Sequence, residues 1–135
     1  MTTYLIISLI SGVLFAVLDG LINANPLAVK LFRVYLLIAR TRVNMLAGII
    51  IDLLYGFLLA GLFLLLYPSL PGESGLLKGL SFGLIAWLLR VLMAALGEWM
   101  MFSIPLETLV YKVLAGLGEM LVIAILYGLT LHPAG

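Results

Sequence analysis

The chain has 135 residues, of which 65% are hydrophobic and 10% charged, with a net charge of +1 and no cysteine. Soluble domains run near 45–50% apolar and about 25% charged, so this composition excludes a water-soluble globule. It also excludes disulfides, thiolate nucleophiles and Cys-ligated clusters.

The apolar residues gather into four runs near 4–25, 43–67, 77–102 and 109–131. Each is about 22–26 residues, enough to cross about 30 Å of hydrocarbon. Backbone polar groups in lipid must be satisfied internally, so runs of this length are expected to be helices. The first run resembles a signal peptide in residues 4–18. It lacks a positive leader, however, and Asp19 interrupts it before any small-residue cleavage site, so it reads as a retained membrane helix. The expected fold is all-α: residues 1–135 form a single integral membrane domain, a four-helix bundle of two tandem helical hairpins.

The segment between runs one and two carries Lys30, Arg33, Arg40 and Arg42 and no acid. That between runs two and three carries Glu73, with Lys78 just inside the next helix. The excess of Lys and Arg predicts residues 26–42 on the cytoplasmic side and both termini outside, in a plasma or inner membrane. Pro26 follows Asn25 at a helix-entry position. Lys30, Arg33 and Arg40 recur at helical spacing among Leu31, Phe32, Val34, Leu36 and Leu37. This predicts a short amphipathic helix in the interface, anchoring the topology among anionic lipid headgroups or offering a docking surface. Pro68, Pro71 and Gly72 mark the next turn.

The two halves resemble each other. Asp19 stands seven residues before Pro26-Leu27, and Glu98 seven before Pro105-Leu106. Leu46-Ala47-Gly48 recurs as Leu114-Ala115-Gly116, with Asp52 and Glu119 following. A repeat of 1–68 as 77–133 is expected, in the same orientation.

Small residues share a face with the buried charges. Ser8, Gly12, Ala16, Asp19 and Asn23 form one stripe, and Gly48, Asp52, Gly56 and Ala60 a second. Gly79, Gly83, Ala86, Arg90, Ala94 and Gly97 form a third, while Gly116, Ala124 and Gly128 align beside Glu119. Small residues let helices approach closely in lipid, so these faces are expected to point inward with their charges. Asp52, Arg90 and Glu119 fall about 14–18 Å deep and Asp19 about 9 Å. Glu98 reads as a solvated helix end. Arg stays protonated and needs a carboxylate or water, yet three acids face one guanidinium and cannot all be ionised cheaply. Asp52, Glu119, Arg90 and Asp19 are therefore the candidate proton- or cation-binding residues. Tyr55, Tyr111 and Tyr127 are candidates to hydrogen-bond into that layer, although an ordinary structural role is the expectation for each, with Tyr111 at the interface.

The lone histidine, His132, lies outside the last apolar run, so neither a metal site nor a cofactor is expected. No basic stripe with interleaved aromatics suggests nucleic acid, and no nucleophile or phosphate-loop motif suggests an enzyme. The expected function is a proton- or cation-linked transport or channel subunit. The alternative is a non-catalytic accessory subunit of a larger membrane complex. Membrane lipids are expected partners, together with further copies of the chain or other membrane subunits.

Overall fold

The computed structural model describes residues 1–38 and 44–133, and no strand occurs among them. The chain folds as α1 (Thr2–Ala24), α2 (Pro26–Leu31), α3 (Met45–Leu66), α4 (Gly75–Trp87), α5 (Met93–Met101) and α6 (Leu106–Thr130). A 3₁₀ segment, Phe32–Leu37, extends α2, and a π-helical turn, Leu88–Leu92, joins α4 to α5. Four helices are long and apolar enough to cross a membrane: Thr2–Ala24, Met45–Ser69, Gly75–Met101 and Leu106–Thr130.

Their boundaries follow local chemistry. Asn25 Oδ1 accepts from Ala28 N at 2.9 Å, with Pro26 in the first turn, and Asn44 Oδ1 accepts from Ala47 N at 3.0 Å. Ser74 Oγ accepts from Leu77 N at 3.2 Å to start α4. These acceptors satisfy amides that the first helical turn leaves unpaired. Gly72, at φ 115°, supplies the left-handed step in the turn before α4. Lys78 Nζ donates to the carbonyls of Tyr67 and Leu70, at 2.8 and 3.0 Å, where α3 ends. That is the end at which a cation suits the helix dipole.

The helices associate in pairs: α1 lies along α3, α4 along α6, and α1 and α6 meet in the middle. Glycine sets both close approaches. A Cβ on Gly56 would stand 2.5 Å from Ser8 O and Gly12 N, and one on Gly79 would stand 2.5 Å from Ala124 O. Outward faces carry exposed leucine, isoleucine and valine, such as Leu5, Leu9 and Val13 on α1 and Leu54, Leu58 and Leu65 on α3. Without water there is no hydrophobic force between such helices, so backbone proximity and internal hydrogen bonds hold them.

The small faces make close helix contact only in part: Gly48 and Ala94 border the spaces that Asp52 and Arg90 line. A Cβ on Gly48 or on Gly97 would meet nothing within 4 Å. Beyond Arg90 the buried small residue is Ala95, while Ala94 is exposed. The π turn explains why Ala95 is the more buried of the two. Its extra residue rotates everything after it by about 100° relative to an unbroken α-helix, so the inward face moves on by one position.

One end of the bundle is closed by rings. Phe63 lies 5.5 Å from Phe82 and 5.8 Å from Tyr127, centroid to centroid. Tyr127 is fully buried; its hydroxyl lies 2.9 Å from Ser11 Oγ and donates to Gly56 O at 3.2 Å, tying α6 to α1 and α3. Tyr127→Phe removes that junction while keeping the ring, and about 1 kcal/mol of stability should go with it. Reversible unfolding in detergent measures the loss.

Candidate functional site

Away from the aromatic cluster, α1, α3, the π turn and α6 bring together the four residues that the sequence singled out. Arg90 Nη1 donates to Glu119 Oε1 at 2.9 Å and lies 3.7 Å from Met120 Sδ. The Glu119 side chain is 3% exposed and that of Arg90 25%. The guanidinium carbon stands 4.6 Å from the centroid of the Tyr55 ring and 5.4 Å from that of Phe15. Arg90 is therefore held by a carboxylate on one side and by aromatic faces on the other, where the ring quadrupole attracts a cation.

The contact is a single N–H···O bond, not the two-pronged pairing that a guanidinium and a carboxylate can form. Glu119 Oε2 and Arg90 Nε are buried without a hydrogen-bond partner among the described residues. Asp19 lines one space with Glu119 and a second with Asp52, and Arg90 lines both. Asp52 is buried at 9% exposure, and Asp19 is half-buried. Among the described residues, neither of these carboxyl groups forms an ion pair within 4.0 Å.

Two adjoining cavities meet at Arg90. One, of about 300 Å³, is walled by Asp19, Tyr55, Arg90 and Glu119 together with Phe32 and Lys112. The other, of about 540 Å³, lies between α1 and α3 and is walled by Asp19, Asp52, Tyr55 and Arg90, with Asn23 and Asn44 toward the helix ends. Gly48 lines this second space, which is why it touches no neighbouring helix.

A second charged group escaped sequence reasoning. Lys112 Nζ lies 2.8 and 3.0 Å from the two carboxylate oxygens of Glu98, and 3.0 Å from the Tyr35 hydroxyl. That hydroxyl in turn donates to Glu98 Oε2 at 3.1 Å. Glu98 is thus a half-buried ion-pair partner and not a solvated helix end. The spacing signal was present, since Lys112 stands inside an apolar run where an uncompensated ammonium is costly. Its partner on another helix was not readable.

The same junction pins the segment after α1 against α6. Thr108 Oγ1 donates to Leu31 O at 2.6 Å, the Tyr111 hydroxyl donates to Ile22 O, and Asn25 Nδ2 donates to the Tyr111 hydroxyl at 2.8 Å. Phe32, carried on that segment, becomes a wall of the smaller cavity. Of the three tyrosines considered, Tyr55 touches the charged layer, Tyr111 fastens the segment and Tyr127 belongs to the aromatic end. Lys30 and Arg33 are exposed and stand apart from the cavities. Arg40 and Arg42 lie outside the described residues.

No known protein family, curated protein or solved structure matches the chain.

Proposed function

We propose that the chain is a subunit of a proton- or cation-linked carrier or channel in a plasma or inner membrane. In this reading Asp52 and Glu119 take up the proton or cation, Asp19 guides it toward them, and Arg90 is the counter-charge that limits how much negative charge the cleft holds. The observation that carries the reading is the charge imbalance at the two cavities. Three carboxyl groups face one guanidinium, and the only other cation on their walls among the described residues, Lys112, is engaged by Glu98. A carboxyl group in excess of its cation in a low-dielectric interior holds a proton, or gives it up to an entering cation.

The architecture proposed with it is two tandem hairpins, α1 with α3 and α4–α5 with α6, arising from a duplication of 1–68 as 77–133. The segment following α1 lies in the cytoplasmic interface, and both termini are outside. Four helices enclose little space, so the chain works as a homo-oligomer or beside other membrane subunits.

The test is flux into proteoliposomes, followed with a pH-sensitive dye and with rubidium ion. Asp52→Asn and Glu119→Gln should each lower flux at least about tenfold, which corresponds to about 1.4 kcal/mol. Circular dichroism and elution volume should stay unchanged; Gln still offers Arg90 an oxygen acceptor. Wild-type flux in both folded variants, or none from the parent chain, overturns the reading.

A second reading, a non-catalytic accessory subunit, is favoured by Lys30 and Arg33. Both are exposed on the segment after α1 and form no ion pair within the described residues. Reversing both charges should release a partner that co-purifies in native lipid.

A further inference from the structure

Resting on the reading of this cleft as the working site, we propose that Pro26–Leu37 is a strap over the smaller cavity, anchored at its start and latched at its far end by Tyr35, Glu98 and Lys112. The cavity wall supplies the first observation. Phe32 is the one residue that the strap adds to it, and every other residue of the wall belongs to a membrane-spanning helix. Phe32 can therefore leave the wall without unpacking the bundle.

The two ends of the strap are held differently. At its start, Asn25, Tyr111 and Thr108 join the chain to α6 through hydrogen bonds, and Ala28 is fully buried. From Phe32 to Leu37 no residue is buried, and the backbone runs as six residues of 3₁₀ helix. That is longer than the three or four residues this poorer hydrogen-bond geometry usually sustains. A space of about 200 Å³ also lies between Tyr35 and Leu37 on the strap and Glu98 and Phe102 beneath it. A segment with so few buried apolar contacts opens locally at low cost.

What holds the far end is polar. The Tyr35 hydroxyl donates to Glu98 Oε2 at 3.1 Å and accepts from Lys112 Nζ at 3.0 Å, while Lys112 pairs with both Glu98 oxygens. Phe32 lies edge-on to Tyr35 and to Tyr111, with centroids 5.7 and 5.5 Å apart, so the wall residue sits between latch and anchor. Lys112 is at once a latch member and part of the cavity wall, so a charge entering the cavity acts on the group that holds the strap.

The chain has no cysteine, so a single reporter, Val91→Cys, can be placed in the wall of the full chain in lipid nanodiscs. Its reaction rate with a water-soluble methanethiosulfonate is measured beside deuterium exchange at the amides of 33–37. In the parent background the reporter should react at least about tenfold more slowly than Leu36→Cys, at a position 70% exposed. Tyr35→Phe should speed both labelling and strap exchange about tenfold, and Glu98→Gln about threefold or more, with exchange in α1 and α6 unchanged. Labelling or strap exchange at the parent rate in both variants overturns the proposal. So does faster exchange throughout α1 and α6, or a parent reporter as reactive as Leu36→Cys. Ion flux from a chain whose variants label at the parent rate retains the transport reading and removes the strap. Latch-dependent labelling in a chain that passes no ion supports the strap and removes the transport reading instead.

Discussion

Arg90→Met should be among the most damaging single substitutions in the chain, costing about 3–5 kcal/mol of folding stability. The Glu119 side chain, 3% exposed, would be left beside a thioether where its cation had been. The guanidinium also leaves the faces of Tyr55 and Phe15, a loss of about 0.5–2 kcal/mol within that total. Arg90→Lys is not a rescue, because an ammonium neither stacks as a planar cation nor offers the same fork of donors. Arg90→Met combined with Glu119→Leu should recover most of the loss, since an apolar pair leaves neither charge stranded. Unfolding of the parent, Arg90→Met, Glu119→Leu and the double variant in mixed micelles provides the double-mutant cycle. A single variant within about 1 kcal/mol of the parent would mean that water, not Arg90, already compensates Glu119.

The second large effect is steric. Gly56→Leu should separate α1 from α3, because its Cβ alone would stand 2.5 Å from two backbone atoms of α1, Ser8 O and Gly12 N. Backbone atoms cannot rotate aside as a side-chain tip can, so even Gly56→Ala should cost about 1–3 kcal/mol. Gly48→Ala is the matched control, about two turns earlier on α3, where a Cβ meets nothing within 4 Å. Alanine there should be neutral or stabilising by up to about 1 kcal/mol, through its better helix propensity. Cross-linking of cysteines introduced on α1 and α3 reports the separation directly, and equal behaviour of the two alanine variants would contradict the Gly56 contact.

Much of the candidate site was legible because lipid makes ionisable residues conspicuous. Asp19, Asp52, Arg90 and Glu119 stand out against apolar neighbours, and their helical spacing beside Gly12, Gly56 and Gly83 aims them inward. That reasoning weakened where a residue had two physical options. Glu98 stands near a helix end, where solvation and pairing are both affordable, and only the position of α6 brings Lys112 to it. Gly97 was assigned to close contact by continuing an α-helical period through Leu88–Leu92, where the backbone instead makes a π turn. No residue type announces such a turn.

Composition and local pattern determined by themselves that this chain forms four helices able to span a membrane, because length, apolarity and the need to satisfy backbone groups are properties of a segment alone. Asn25 before Pro26 likewise marked a helix start, and Asn44 and Ser74 cap theirs through contacts of the same three-residue reach. Tertiary structure alone decided that α1 and α6 stand at the centre, that Gly56 and not Gly48 is the point of closest approach, and that two cavities meet at Arg90. Those outcomes depend on where helices cross and on the register imposed by one irregular turn. Such quantities arise between segments and leave no local trace in residue order.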